Sequence, residues 1–211
     1  MSRVQKILAC LASCYPEVKT ELKFKSPFEL LMATILSAQT TDRQVNNVTP
    51  TLFSKYPAPE YLAGENHLTV AKIIKGVGLY HTKARYLVAT AEILMDSFDG
   101  QVPQTLDELL TLPGVGRKTA KVVLANAFNK PALAVDTHVF RVSRRLGLTE
   151  AKTPDRVGQD LEAVIPRGQW IAAHHRLVQH GRRVCQARNP LCHQCCLAIY
   201  CPSASFDLSK Q

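Results

Sequence analysis

Cys185, Cys192, Cys195 and Cys201 stand with six, two and five residues between them. No other feature constrains the chain as tightly. Four thiols in so short a stretch force it to fold back so that the sulfurs converge on one soft centre. Structural zinc also takes four cysteines, but it usually draws them from two C-x2-4-C knuckles. Here there is one knuckle, Cys192 and Cys195, with a single cysteine on either side. The spacing favours an iron–sulfur cluster, with zinc as the alternative. Cys196 is a fifth thiol beside a ligand. Adjacent residues rarely aim at one centre, so Cys196 is expected to be a spare and Cys196→Ser to be tolerated.

Charge points to a polyanionic partner. The net charge is +9, and no Asp or Glu occurs between Ala163 and Phe206. That stretch holds Arg167, Arg176, Arg182, Arg183 and Arg188. A second basic group comprises Arg141, Arg144 and Arg145. Solvated charged faces usually mix signs, so these groups are expected to contact phosphate. Seven cysteines that include a metal-like set imply a reducing compartment, not a disulfide framework. Arg3 and Lys6 precede a short apolar run ending near Cys14, which mimics a lipoprotein signal. Val4, Ile7, Leu8 and Leu11 fall at helical spacing, so an amphipathic first helix is expected instead. No apolar run approaches a membrane span. The Asn47-Val48-Thr49 acceptor sequence is discounted because Pro50 follows it.

Helical periodicity runs almost throughout. Apolar faces are expected at Phe28–Leu31–Ile35, from Tyr86 to Phe98, at Leu106–Leu109–Leu110, and from Val122 to Phe128. Others follow at Val139–Val142–Leu146 and from Trp170 to Val184. Helix punctuation separates them: Ser26-Pro27, Pro57-Ala58-Pro59, Gly100, Pro113-Gly114, Thr153-Pro154 and Pro166. Strand-like alternation is nearly absent, so the fold class is all-α.

Two segments can carry chemistry. Leu112 to Ala120 ends one helix, turns through Gly114-Val115-Gly116, and starts another near Arg117. Backbone N–H groups at a helix start bind phosphate, but the spacing is not that of a nucleotide P-loop. Lys118 falls in the first helical turn, where a cation is disfavoured by roughly 0.3–1 kcal/mol. That field favours the neutral amine a nucleophile needs; a lysine that only grips phosphate is the alternative. Asp136 opens the helix that carries Arg141 and Arg144. Its position is that of a cap, and a carboxylate there can also support positive charge or move a proton. His138 reads as structural. An earlier Gly76-Val77-Gly78 echoes the hairpin.

The hairpin, Val135-Asp136-Thr137-His138 and the cysteine loop, in that order, resemble the endonuclease III family of helix-hairpin-helix DNA glycosylases. Ser26 to Leu31, Leu36 to Asp42 and Gly78-Leu79-Tyr80 extend the resemblance nearly end to end. It implies two helical lobes with a DNA-binding cleft between them. A six-helix lobe with the helix-hairpin-helix motif would span 20–130. Residues 1–19 with 131–211 would form the other lobe, carrying a [4Fe–4S] cluster loop (185–201) on Cys185, Cys192, Cys195 and Cys201. Lys118 would be the nucleophile and Asp136 the catalytic carboxylate. Gln39 and Leu79 would enter the duplex where the damaged nucleotide is turned out. Gly114, Val115 and Gly116 would hold phosphate, and Arg182 and Arg183 would add DNA contacts. Cys196 departs from the family pattern.

The implied activity is base-excision repair. Oxidised pyrimidines would be removed from double-stranded DNA, and the abasic site then cleaved by β-elimination through a lysine Schiff base. The expected partner is duplex DNA with damaged pyrimidines or abasic sites, engaged by a monomer in the cytoplasm with no membrane involved. An adenine-mispair-type glycosylase shares the hairpin, aspartate and cluster but generally lacks a lysine at the position of Lys118. A non-catalytic iron–sulfur DNA-binding protein would need neither Lys118 nor Asp136.

Overall fold

Helix starts are written locally in this chain. In the computed structural model, which describes residues 1–204, Ser2 opens α1 (Arg3–Cys14) with a reciprocal capping box to Gln5. Ser26 caps α2 (Pro27–Leu36), whose first position is proline. The fixed φ of proline suits that place, and the N–H it lacks would have had no partner there. Thr41 and Gln44 form a second capping box at α3 (Asp42–Lys55). Then follow α4 (Pro59–Leu62), α5 (His67–Ile73), α6 (Tyr80–Phe98), α7 (Leu106–Leu110) and α8 (Arg117–Phe128). The remaining helices are α9 (Thr137–Arg145), α10 (Pro154–Val164) and α11 (Trp170–Arg183). Among the described residues there is no strand. The Ala132–Val135 run has no regular secondary structure and leads into α9. Asn47 and Thr49 lie within α3, which continues through Pro50. No described helix is long and apolar enough to cross a membrane. Residues 205–211, assigned above to the second lobe, lie outside the described residues.

The chain divides into two units, Thr20–Lys130 and Met1–Lys19 joined with the chain from Pro131 onward. In the Thr20–Lys130 unit, α2 is buried from Phe28 through Leu36. A helix apolar on every side must be enclosed, and α3, α6 and α8 pack against it. Seven α-helices fall in this unit, one more than the resemblance implied. Of these, α4 is a single turn that packs on α6.

In the other unit, α11 packs against α9 and α1, and α10 against α9. Ile7, Leu11, Val142, Leu161 and Leu177 form its core, with Leu197 from the cysteine loop buried among them. Burial of each such side chain contributes about 1.5–3 kcal/mol, so the cysteine loop is anchored through its own apolar residue. At Gly181 a Cβ would lie 3.0 Å from the His138 Cβ, which shows how closely α9 and α11 approach.

Candidate functional site

The hairpin between α7 and α8 is fixed by sterics. Gly114 has φ +76°, and a Cβ there would fall 2.8 Å from the Tyr86 ring and 3.3 Å from Ile35. The Thr90 hydroxyl donates to the Pro113 carbonyl at 3.1 Å, and the Val115 N–H closes the turn onto Leu112 at 3.1 Å. Gly116 is the N-cap of α8, with no side-chain cap and no acidic residue in the first turn. The first N–H groups of a helix lack intrahelical partners, so this end is open to an anion. Gly114 and Gly116 are exposed, whereas Val115 is buried. Val115 can therefore meet a phosphate only through its backbone. Lys118 is exposed, at the second position of α8.

Gln39 and Leu79 lie on two turns of the same unit, and the structure brings these turns together. A Cβ on Gly78 would be 3.7 Å from the Gln39 carbonyl oxygen. Both residues adopt left-handed backbone, with φ 53° at Gln39 and 56° at Leu79. Such conformations cost a non-glycine residue about 1–3 kcal/mol and concentrate at functional sites. Gln39 is exposed, and Leu79 leaves 63% of its surface in solvent. Leu79 is thus an exposed leucine held on strained backbone.

Behind the turns lies a residue that sequence reasoning missed. Lys83 on α6 is buried. Its ammonium donates to the Leu36 carbonyl and the Thr40 hydroxyl, both at 2.8 Å. Burial lowers its pKa from the ordinary lysine value. The cation thus closes the C-terminus of α2 and fastens the turn that carries Gln39. A lysine four residues before Leu87 and eight before Ala91, on the apolar stripe of α6, was the signal available in the sequence.

Asp136 sits half-buried at the start of α9. Its Oδ1 accepts the Val139 N–H at 2.7 Å, the capping geometry its position implied. His138 contacts an Arg141 guanidinium nitrogen through Nδ1 at 3.2 Å, consistent with a structural role. Asp136 and Lys118 belong to different units.

The four loop cysteines line one cavity of about 140 Å³, together with Leu146, Val184, Leu191 and Ala198. Two short 3₁₀ turns, Cys192–Gln194 and Ala198–Tyr200, precede Cys195 and Cys201. The Cys195 and Cys201 thiols are pushed up by burial and by the neighbouring loop thiols. His180, buried at the end of α11, touches the Cys195 sulfur at 3.5 Å through Nε2 and the Tyr15 hydroxyl at 3.1 Å through Nδ1. Burial lowers the His180 pKa to about 4 and raises that of Tyr15 to about 12.

Several arginines expected on phosphate are engaged within the protein. Arg141 donates to the Cys185 and Gly181 carbonyls at 3.1 and 2.9 Å. Arg145 donates to the Gln186 carbonyl at 2.6 Å, the Ala187 carbonyl at 3.1 Å and the Cys185 sulfur at 3.4 Å. Arg176 donates to the Tyr15 carbonyl at 3.2 Å, and Arg144 lies over the Phe140 ring. A tight loop leaves carbonyls without ladder partners, and guanidinium groups satisfy them. Arg3 works the same way, binding the Leu146, Gly147 and Tyr200 carbonyls. Arg182 and Arg183 end α11 exposed, with the Arg183 guanidinium over the Tyr15 ring at 5.9 Å.

An anion-ready hairpin, a pair of strained turns and a cysteine-lined cavity mark a helical protein of the nucleic-acid-binding helix-hairpin-helix class with a candidate metal site. The profile of HhH-GPD superfamily base excision DNA repair proteins matches residues 32–167. Endonuclease III of Synechocystis sp. is 47% identical over 203 residues, 96% of this chain and 93% of that protein. Endonuclease III of Rickettsia conorii is 44% identical over 198 residues, 94% of each. A solved structure of a trapped endonuclease III–DNA covalent intermediate superposes with a TM-score of 0.91, at 42% identity over 97% of both chains. The chain belongs to the endonuclease III family of the HhH-GPD superfamily of base excision DNA repair proteins.

Proposed function

We propose that this protein is a bifunctional DNA glycosylase and abasic-site lyase that removes oxidised pyrimidines from duplex DNA in the cytoplasm, with Lys118 as nucleophile. One observation carries the reading. Lys118 stands exposed at an uncapped helix start following a glycine hairpin, in a chain that superposes on an endonuclease III covalently trapped on DNA.

The residues then take the following roles. The hairpin N–H groups hold the DNA backbone. Leu79 and Gln39 fill the gap left when the damaged nucleotide turns out, and damaged pairs cost less to open. The Lys118 amine attacks the sugar C1′ as the base leaves with the bond electrons; the amine then loses a proton, the C1′–O4′ bond opens with protonation of O4′, and a Schiff base results. Asp136 stabilises positive charge developing at the sugar and moves protons. Loss of a C2′ proton expels the 3′ phosphate, and water releases the lysine. No net electrons are transferred.

Cys185, Cys192, Cys195 and Cys201 would hold a [4Fe–4S] cluster. Four tetrahedral thiolates on one zinc, with bonds of about 2.3 Å, bring the sulfurs to about 3.8 Å from one another. No three of the loop sulfurs gather within 4.8 Å of each other among the described residues, yet all four cysteines line the same cavity. That spacing fits a larger, multi-iron group. When bound, the cluster would supply four strong thiolate bonds that shape a basic DNA-gripping loop.

Borohydride present during turnover should weld the protein to damaged DNA. Lys118→Gln should abolish adduct and strand cleavage while DNA binding and fold survive. Asp136→Asn should slow base excision strongly yet still form adduct on a pre-made abasic site. Undiminished trapping by Lys118→Gln would assign the nucleophile to another amine.

A further inference from the structure

Cys196 is not isolated. Cys10 and Cys14 stand one turn apart on α1, on the same face of the helix. The loop residue after Cys195 brings a third thiol to them. The three sulfurs all lie within 4.8 Å of one another. The Cys10 thiol donates to the Cys196 carbonyl at 3.0 Å, which fixes the loop against α1. Cys10 and Cys196 are half-buried and Cys14 is exposed, and none is in a disulfide.

We infer that Cys10, Cys14 and Cys196 form a second metal site, separate from the four-cysteine loop, that binds one thiophilic d10 cation such as zinc through three thiolates. Bonds of about 2.3 Å require sulfur separations of about 3.8–4.0 Å. The trio reaches that with closure of less than about 1 Å, within the range of a rotamer adjustment. Thiolate ligands select soft cations over magnesium or calcium. The exposed side at Cys14 leaves a fourth position for water. A single ion here differs from the loop site in kind: these sulfurs lie close enough to share one small cation, whereas the loop sulfurs are spread around a larger cavity. Because Cys196 follows Cys195 directly, occupancy of the second site would clip the loop to α1 and restrain its motion. This inference does not rest on the glycosylase reading.

The test uses reduced, anaerobic holoprotein, equilibrated with Zn²⁺ against a competing chelator and then gel-filtered. Iron and zinc are counted by mass spectrometry. The expected result is one zinc per chain beyond the metal of the loop, with iron unchanged and a higher Tm. Cys10→Ser and Cys14→Ser should each weaken zinc binding at least about ten-fold, since even outer-shell partners of metal sites are worth that much. Both variants should keep full iron and the zinc-free Tm. Three outcomes would overturn the site: no zinc retained, equal retention by the Cys10→Ser/Cys14→Ser double variant, or zinc appearing only as iron is lost. If the loop itself proved to hold zinc, wild type would carry two zinc ions and the double variant one, so failure of the iron–sulfur reading remains distinguishable.

Discussion

Lys83 shows how a single residue can serve function from behind a site. Its ammonium is removed from solvent, which disfavours the charge, and it persists because two acceptors meet it at 2.8 Å. Replacing Lys83 with Met keeps the volume but orphans the Leu36 carbonyl. An unsatisfied buried acceptor costs about 1–3 kcal/mol, and the Gln39 turn loses its fastening. Excision from damaged duplex should fall well over ten-fold, while borohydride trapping on single-stranded abasic DNA changes little, because no wedge is needed there. Equal loss on both substrates would mean that Lys83 supports the fold generally. The lesson from Asp136 is the opposite: its capping role was readable from sequence, and the Val139 N–H bond shows that the cap and the proposed catalytic carboxylate are the same group.

Among the elements, α11 does the most. It packs on α1 and α9, ends at Arg183, and carries buried His175 and His180. Burial, with the adjacent His174 charge, lowers the His175 pKa to about 4. A histidine kept neutral in the fold contributes stability that is fully present above its unfolded pKa near 6.5. That stability is lost as pH falls from 6.5 toward 4. By pH 5 the loss from this residue should be about 2 kcal/mol. Urea unfolding at pH 7 and pH 5 measures it: the wild-type midpoint should drop more than that of His175→Gln. Parallel drops would show that His175 titrates normally. At α8 the informative feature is an absence: Gly116 supplies no cap and the first turn no acid, which leaves the helix start open to an anion.

At the scale of the molecule, the net charge of +9 overstates what is available to DNA. Arg3, Arg141, Arg145 and Arg176 are bound to backbone carbonyls. The logarithm of DNA affinity should fall linearly with log salt concentration, by about 0.9 per phosphate contact. Arg182→Gln with Arg183→Gln should make that slope shallower by up to about 2. Arg141→Gln should leave the slope unchanged and loosen the cysteine loop. A slope that responds to Arg141 and not to the α11 pair would reverse this assignment.

Local signals were legible because they act over one or two turns. The Ser26-Pro27 helix start, the period of the apolar faces, the glycine hairpin and the cysteine spacing each fix φ, ψ or a covalent reach without help from distant chain. They determined the all-α class, and with the resemblance they marked Lys118, Asp136 and the four loop cysteines as candidates. Tertiary structure alone decided what depends on separations of tens to hundreds of residues. It turned several arginines from phosphate ligands into carbonyl partners, because a tight loop 40 residues away exposes acceptors. It buried Val115 and Lys83, and it set the Gln39 and Leu79 turns side by side. It also gave Cys196 two neighbours from the first helix, a meeting across more than 180 residues that no local pattern encodes, since packing between distant elements, not chain propensity, determines which side chains share a space.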